Sequence, residues 1–312
     1  MPIDPSSQAV IFGCKSLKLN AFEKDFFRSV KPTGFILFER NCKTPNQVQY
    51  LVKQLRDSIE SDSAPILIDQ EGGRVQRLRP PNWKKYLSAQ LLVRRAEQKN
   101  IETTAEAIEL NARLIAHDLS QLGITVNCAP VIDIPVKTAD KIISDRAFGK
   151  NPQKVSQYGM AACLGYLQGG VLPVLKHLPG HGRAKFDSHK KLPVINTPLD
   201  VLEKTDFVPF RSLVNMPWAM TAHIIYTRID SLAPVTHSKV AIKQLIREQF
   251  GYQGIIISDD LSMKALSGSL KNRAKKALNA GCDLALHCNG DFHEMKSLIE
   301  GCSKLTEKSR NK

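Results

Sequence analysis

The side chains best suited to chemistry fall in three stretches. One is Ile255-Ile-Ile-Ser-Asp259-Asp260, an apolar run ending in two adjacent carboxylates. A carboxylate directly after a buried strand is held on rigid backbone, as a covalent nucleophile must be. The competing reading is a cap on the following helix, a common use of Asp, and it suits one of the two neighbours. The second stretch is Lys176-His-Leu-Pro-Gly-His-Gly-Arg-Ala-Lys-Phe-Asp-Ser-His189. In an extended loop Asp187 and His189, two residues apart, point the same way. The carboxylate then accepts the ring N–H, fixes the tautomer and favours the imidazolium. Such a ring gives a proton to a leaving oxygen and later takes one from water. The plain alternative is a solvent-exposed loop histidine.

His177, His181, Asp187 and His189 also raise a metal-site reading. Their spacing is not a tight ligand pattern, and the His-x-His expected after the first strand of metal-dependent barrel hydrolases is missing. No metal and no cofactor is expected. The third stretch is Asp69-Gln-Glu-Gly-Gly-Arg-Val-Gln-Arg77. Asp69 suits adjacent hydroxyl groups, and arginines donate to oxygens in fixed geometry. Gly72 and Gly73 allow a sharp turn. For Arg74 a structural ion pair with an Asp under the loop is preferred. Arg146, in Ser144-Asp-Arg-Ala-Phe-Gly149, is a further donor.

Holding these groups together requires a repeating scaffold. Eight apolar runs read as strands: Ala9–Gly13, Gly34–Phe38, Pro65–Asp69, Thr125–Val131, Leu172–His177, Trp218–Ile224, Gly254–Ser258 and Asp283–His287. Helical stretches lie between most of them: Asn46–Ser61, Glu102–Leu122, Lys154–Gln168 and Ser238–Phe250. The second of these spaces Ala105, Ile108, Ala112, Ile115 and Leu119 at helical period. Alternation with near-continuous apolar strands implies a parallel sheet covered on both faces. Eight units favour an α/β chain forming a single-domain (β/α)8 TIM-type barrel over residues 1–312. No Gly-x-Gly-x-x-Gly follows the first strand, which argues against dinucleotide binding. In such barrels chemistry sits at the strand C-termini. The ends at Asp69, Asp133, Lys176, His223, Asp259 and His287 are all polar.

Composition narrows the class. The 312 residues are 42% hydrophobic but only 6% aromatic, which suits a core of Val, Ile, Leu and Ala. The seven cysteines are odd in number and include no Cys-x-x-Cys, so they read as reduced thiols in a cytoplasm. The N-terminus lacks the pattern of an export signal, and no apolar run approaches the roughly 20 residues of a membrane span. The formal charge of +14 comes from scattered basic residues, with clusters at Lys271–Lys276 and Lys304–Lys312. No nucleic-acid-binding motif accompanies them, so a solvated basic surface is the expectation.

Taken together, Ile68-Asp-Gln-Glu-Gly-Gly-Arg-Val-Gln-Arg-Leu78, Ser144-Asp-Arg-Ala-Phe-Gly149, Lys176-His-Leu-Pro-Gly-His-Gly182, Asp187-Ser-His189 and Ser258-Asp-Asp-Leu-Ser-Met263 resemble a known family. They resemble the cytoplasmic β-N-acetylglucosaminidases of glycoside hydrolase family 3, which act in bacterial cell-wall recycling. The motifs stand in the family's order and span most of the barrel. The resemblance implies Asp259 as nucleophile, His189 as acid/base with Asp187 as its partner, and Asp69, Arg77, Arg146, Lys176 and His177 as sugar contacts. It implies a retaining β-N-acetylhexosaminidase that removes terminal N-acetylglucosamine from peptidoglycan fragments, such as those ending in 1,6-anhydro-N-acetylmuramic acid. The only partner it implies is that small carbohydrate, with no nucleic acid, no membrane and a monomeric chain. The Asp-Ser-His loop separates these enzymes from β-glucosidase relatives, which take their acid from a Glu elsewhere. Leu178 departs from the Phe common in the family, an apolar-for-apolar change. The segment Lys271–Lys276 has no reading in the family pattern. A metal-dependent barrel hydrolase and a non-catalytic sugar-binding protein remain as alternatives.

Overall fold

The computed structural model describes residues 5–98 and 101–312. Residues 1–4, part of the segment read as lacking an export signal, lie outside the described residues. Eight strands carry the fold: β1 (Gln8–Gly13), β2 (Pro32–Leu37), β3 (Ile66–Ile68), β4 (Val126–Asn127), β5 (Leu172–Leu178), β6 (Trp218–Thr221), β7 (Ile255–Asp260) and β8 (Leu284–His287). Each pairs in parallel with the next, and β1 pairs with β8, so the sheet closes as a (β/α)8 TIM-type barrel.

The surrounding helices are α1 (Ala21–Val30), α2 (Pro45–Ser58), α3 (Ala89–Ala96), α4 (Ile101–Ser120), α5 (Pro152–Gln168), α6 (Leu199–Lys204), α7 (Val208–Ser212), α8 (Leu270–Ala280), α9 (Phe292–Ile299) and α10 (Glu307–Arg310). A wide π-type helix, Val240–Gln249, lies between β6 and β7. Their starts follow local chemistry. Asn20 and Glu23 form a capping box at α1, Thr44 caps α2, and Asn151 caps α5 ahead of Pro152. No helix among the described residues is long and apolar enough to cross a membrane.

Two concentric apolar layers hold the elements. Inside the barrel, Ile11, Ile36, Leu67, Val126, Val174, Met220, Ile257 and Leu286 interdigitate with the thiols of Cys128 and Cys288. Outside it, Ile66, Ile68, Leu175 and Ile256 meet Ile108, Ile115 and Leu119 of α4 and Tyr158 of α5 within one continuous core. The apolar spacing read along α4 faces this layer, since Ile108, Ala112, Ile115 and Leu119 are buried.

Two expectations are corrected, and one stretch left without a reading is placed. The fourth strand, expected over Thr125–Val131, covers only Val126–Asn127, because Pro130 has no N–H to donate and Val131 keeps a single bridge to Lys176. The seventh strand, expected to stop at Ser258, continues through Asp260. The basic segment Lys271–Lys276 lies in α8, whose Ala274, Ala277 and Ala280 are buried. Leu270 and Leu278 pack beside these alanines, and the lysines and arginine between them mask the period.

The hairpin after β3, Gln70–Gly72 against Val75–Gln76, depends on glycine. Gly72 has φ +96°, and a Cβ there would lie 2.2 Å from the Leu87 carbonyl oxygen. We predict that Gly72→Ala lowers stability by at least about 1–3 kcal/mol, the usual cost of overpacking. Urea denaturation checks this, and a midpoint equal to wild type would refute it.

Candidate active site

β7 delivers its carboxylates through an irregularity. Ile257 pairs with Leu284 and Asp260 with Leu286, so β7 carries one more residue than β8 over this span. Such a bulge re-aims a side chain at a barrel rim. The Ser258 hydroxyl accepts the Leu286 N–H at 2.9 Å inside it. The two aspartates then divide the work. Asp260 accepts the N–H groups of Ser262 at 3.0 Å and Cys288 at 3.2 Å, and the Ser262 hydroxyl at 2.7 Å. It closes a turn and is not the helix cap expected of one of the pair; Ser269 caps the helix that follows. Among the described residues, the Asp259 carboxylate takes only the Asp260 N–H, at 2.8 Å, and it faces the cavity. Burial works against its ionisation, but the His223 and His177 rings and the Asp260 N–H outweigh this and hold the carboxyl below its usual range. His223 Nε2 donates to the Asp260 carbonyl at 3.0 Å, bracing the bulge from beneath.

β5 carries a second bulge. Lys176 pairs with Met220 and Leu178 with Thr221, which sets His177 apart from the ladder. His177 Nδ1 lies 2.7 Å from Asp133, a buried carboxylate that also accepts the backbone N–H groups of His177 and His181. A carboxylate only accepts, so Nδ1 carries the proton and Nε2 is left for the cavity that His177 lines.

The opposite wall is a chain of alternating charge. Arg77 meets Asp69 at 3.0 Å and Asp69 meets Lys176 at 2.9 Å. Lys176 meets Glu71 at 2.7 Å, and Glu71 binds Arg146 through Nε at 2.9 Å and Nη2 at 2.8 Å. Burial opposes every charge in it, and each neighbour of opposite sign prevails. Glu71 is held down to about 2 by Arg146 and Lys176, and Asp69 well below the carboxylate range by Lys176 and Arg77. The same carboxylates hold Lys176 above the ordinary lysine range. Local bonds set up the chain. Gln70 accepts the N–H groups of Arg77 and Leu78, and Asn127 at the end of β4 accepts the Gln70 N–H. Phe38 lies under the Arg77 guanidinium at 4.8 Å. Arg74 pairs with Asp145 at 2.8 Å and donates to the carbonyls of Lys141 and Ile142, clamping the loop that presents Arg146.

The loop after β5 supplies the remaining group. His189 Nδ1 lies 2.8 Å from Asp187 Oδ1, which also accepts the His189 N–H at 2.9 Å. Burial opposes ionisation of Asp187, but its contacts with His189 outweigh it and hold the carboxyl below its usual range. With Nδ1 held by Asp187, Nε2 is the ring nitrogen left free. The cavity of about 260 Å³ is lined by Asp69, Arg77, Arg146, Lys176, His177, His189 and Asp259 together, with Asp187 behind His189. Its size suits one sugar ring with its substituents.

The sequence left two residues central to this arrangement without a role: Glu71, and Asp133, marked only as a polar strand end. Glu71 stands two residues from Asp69 in an extended hairpin. The same-side argument applied to Asp187 and His189 identifies it equally well. Asp133, a lone carboxylate between Ile132 and Ile134, carried a similar signal. The even spread of polar strand ends was misleading at His287, which bonds Glu294 of α9 at 3.0 Å, outside the barrel. Among the described residues no three His, Cys, Asp or Glu side chains gather as a metal-ligand set.

Comparison with known proteins gives a consistent result. The Glycosyl hydrolase family 3 N terminal domain matches residues 10–311. A β-hexosaminidase of Tolumonas auensis is 37% identical over 285 residues, covering 89% of this chain and 80% of that protein. Among solved structures, NagZ from Neisseria gonorrhoeae in complex with N-trifluoroacetyl-D-glucosamine matches with a TM-score of 0.90 at 30% identity, over 100% of this chain and 90% of that one. A glycoside hydrolase family 3 β-N-acetylglucosaminidase from Paenibacillus sp. str. FPU-7 matches with a TM-score of 0.88 at 30% identity, over 96% of this chain and 57% of that one.

The charge chain has a pH signature. A carboxylate whose pKa is lower folded than unfolded contributes stability above its unfolded value and loses it as pH falls through the folded one. For Glu71 that window runs from the ordinary 4.5 down to about 2. We predict that the stability gap between wild type and Glu71→Gln is full at neutral pH and shrinks across this window. Denaturation midpoints measured from pH 7 to 2 check this, and a gap that stays constant would refute it.

Proposed function

The chain belongs to glycosyl hydrolase family 3 and is a β-N-acetylhexosaminidase of that family, and from this premise we propose a retaining mechanism through Asp259 and His189. One observation carries the proposal. A lightly bonded, ionised Asp259 shares a single cavity with an imidazole whose Nδ1 is held by a carboxylate.

In the first step Asp259 attacks the anomeric carbon, and His189 Nε2–H protonates the departing glycosidic oxygen, giving a glycosyl-enzyme. In the second, neutral His189 takes a proton from water, whose oxygen displaces the Asp259 carboxylate. Asp187 keeps Nδ1 protonated throughout and stabilises the imidazolium that donates in the first step and re-forms in the second. Asp69 accepts from sugar hydroxyls while Arg77, Arg146, Lys176 and His177 supply the facing groups. The loop bearing His189 closes over bound sugar, so that water enters after the aglycone leaves.

For the natural substrate we propose terminal N-acetylglucosamine on peptidoglycan fragments such as those ending in 1,6-anhydro-N-acetylmuramic acid. The motif resemblance and the cationic groups at the rim, Arg40 and Arg77 over Phe38 among them, support this reading. All proposed groups come from one barrel, which supports a single catalytic domain over residues 1–312, and we propose that it acts as a monomer. The seven cysteines are all free thiols, in keeping with work in a bacterial cytoplasm.

A 2-fluoro sugar with an activated leaving group should leave its mass on the peptide containing Asp259, and the first-formed product should be the β anomer. A label elsewhere or an α product would overturn the mechanism. His189→Ala should lower turnover by about 10²–10⁴-fold, the usual worth of acid/base work, and Asp259→Asn by more. Activity that survives exhaustive chelation sets aside a metal-dependent hydrolase, and measurable turnover of a chromogenic N-acetyl-β-glucosaminide sets aside a binding protein.

A further inference from the structure

The loop that carries Asp187 and His189 is open on both sides of one residue. Phe186 and His189 are exposed, as are Lys190 and Lys191, yet Ser188 is only 2% exposed. Its hydroxyl lies 3.1 Å from His181 Nε2. Its carbonyl accepts the Ala265 N–H at 3.2 Å, from the segment that follows the nucleophile strand. His181 is itself firmly held. Its backbone N–H donates to Asp133 at 2.7 Å, and its ring packs edge-on to His177 at 5.4 Å. Nothing so far gives the His181 ring a function, although it is buried and Nδ1 has no hydrogen-bond partner among the described residues.

We propose that the His181–Ser188 contact is the latch that fixes the Asp187–His189 pair over the cavity, making Ser188 and His181 positioning residues for proton transfer. The proposal rests on reading His189 as the acid/base. Ser188 sits between the two members of the pair, so anchoring both its hydroxyl and its carbonyl leaves Asp187 and His189 only their side-chain freedom. The anchor points are informative. Through His181, Ser188 is referenced to Asp133, the same carboxylate that orients His177 on the cavity wall. Through its carbonyl it is referenced to the segment after Asp259. Sugar contact, proton shuttle and nucleophile thereby share one frame.

The latch also has a built-in restoring force. With Nδ1 unpartnered among the described residues, withdrawal of Ser188 removes the ring's hydrogen bond at Nε2, a loss that reclosure recovers. Protonation does not relieve it, because burial and the neighbouring His177 hold the His181 pKa down to about 4. Reclosure restores the bond, so the contact favours the closed loop without a ligand touching it.

The test uses the intact enzyme and two N-acetyl-β-glucosaminides, one with an alkyl and one with a dinitrophenyl leaving group. kcat/KM reports the first chemical step, in which only the alkyl aglycone needs a proton. Ser188→Ala should lower kcat/KM for the alkyl substrate by about tenfold, the worth of one hydrogen bond. On the dinitrophenyl substrate the loss should be no more than about twofold by the same reasoning. Ser188→Thr, which keeps the hydroxyl, should restore most of the alkyl activity. Adding His181→Phe to Ser188→Ala should cost little more, because both act through one contact. Equal losses on both substrates, no loss on either, or fully additive losses in the double variant would overturn the latch. His189→Ala runs beside them. If it shows no leaving-group dependence, the acid/base reading fails and takes the latch with it. If it shows that dependence and Ser188→Ala does not, only the latch fails.

Discussion

The interaction on which the rest depends is the run of alternating charge Arg77–Asp69–Lys176–Glu71–Arg146 along one wall of the cavity. Burying five charged groups is costly, and each is tolerable only because its neighbours carry the opposite sign. Removing Asp69 strands Arg77 and removing Glu71 strands Arg146, while loss of any cation leaves its carboxylate with one partner fewer. The chain therefore behaves as a unit, and its members arrive from three separate places: the hairpin after β3, the loop after β4, and β5. Correct closure of the barrel is a condition for pairing them, and the pairing ties those segments together at the rim of the cavity.

On this frame the reacting groups are set by small departures from regular structure. The bulge in β7 lets Asp260 bind the backbone while the adjacent Asp259 faces open space. The bulge in β5 sends Lys176 to the charge chain and His177 to Asp133. In a regular strand neighbouring side chains alternate between faces. The extra residue in each strand alters that alternation at the position where the chemistry is placed. With a single donor on it, the Asp259 carboxylate keeps lone pairs free toward the cavity, which suits the nucleophilic role proposed for it.

Much of this could be read in the chain itself. Strand and helix alternation, the polar ends at Asp69, Lys176 and Asp259, the glycine turn at Gly72, and the pairing of Asp187 with His189 all rest on residues close in sequence. Glu71 and Asp133 were overlooked for a different reason. A carboxylate in a motif does not declare its partners, and Glu71 meets Lys176 and Arg146 from more than seventy positions away. His287 looked like its polar counterparts at other strand ends, yet it faces α9, because side-chain direction depends on register that no local pattern fixes. Helix α8 escaped notice because a run of basic residues interrupts its short core face of Leu270, Ala274, Ala277 and Leu278.

What the sequence determined alone was the order and type of its elements and which residue types stand at their ends. Hydrophobic period, caps and turn glycines act over a few residues, so they are legible without folding the chain. Only the tertiary structure decided which of two adjacent aspartates is free, which cation each carboxylate holds, and which polar strand ends meet in one cavity. Those outcomes depend on barrel closure and on bulges that re-aim single side chains. Both are properties of strands lying against one another, and neither is written in any one strand.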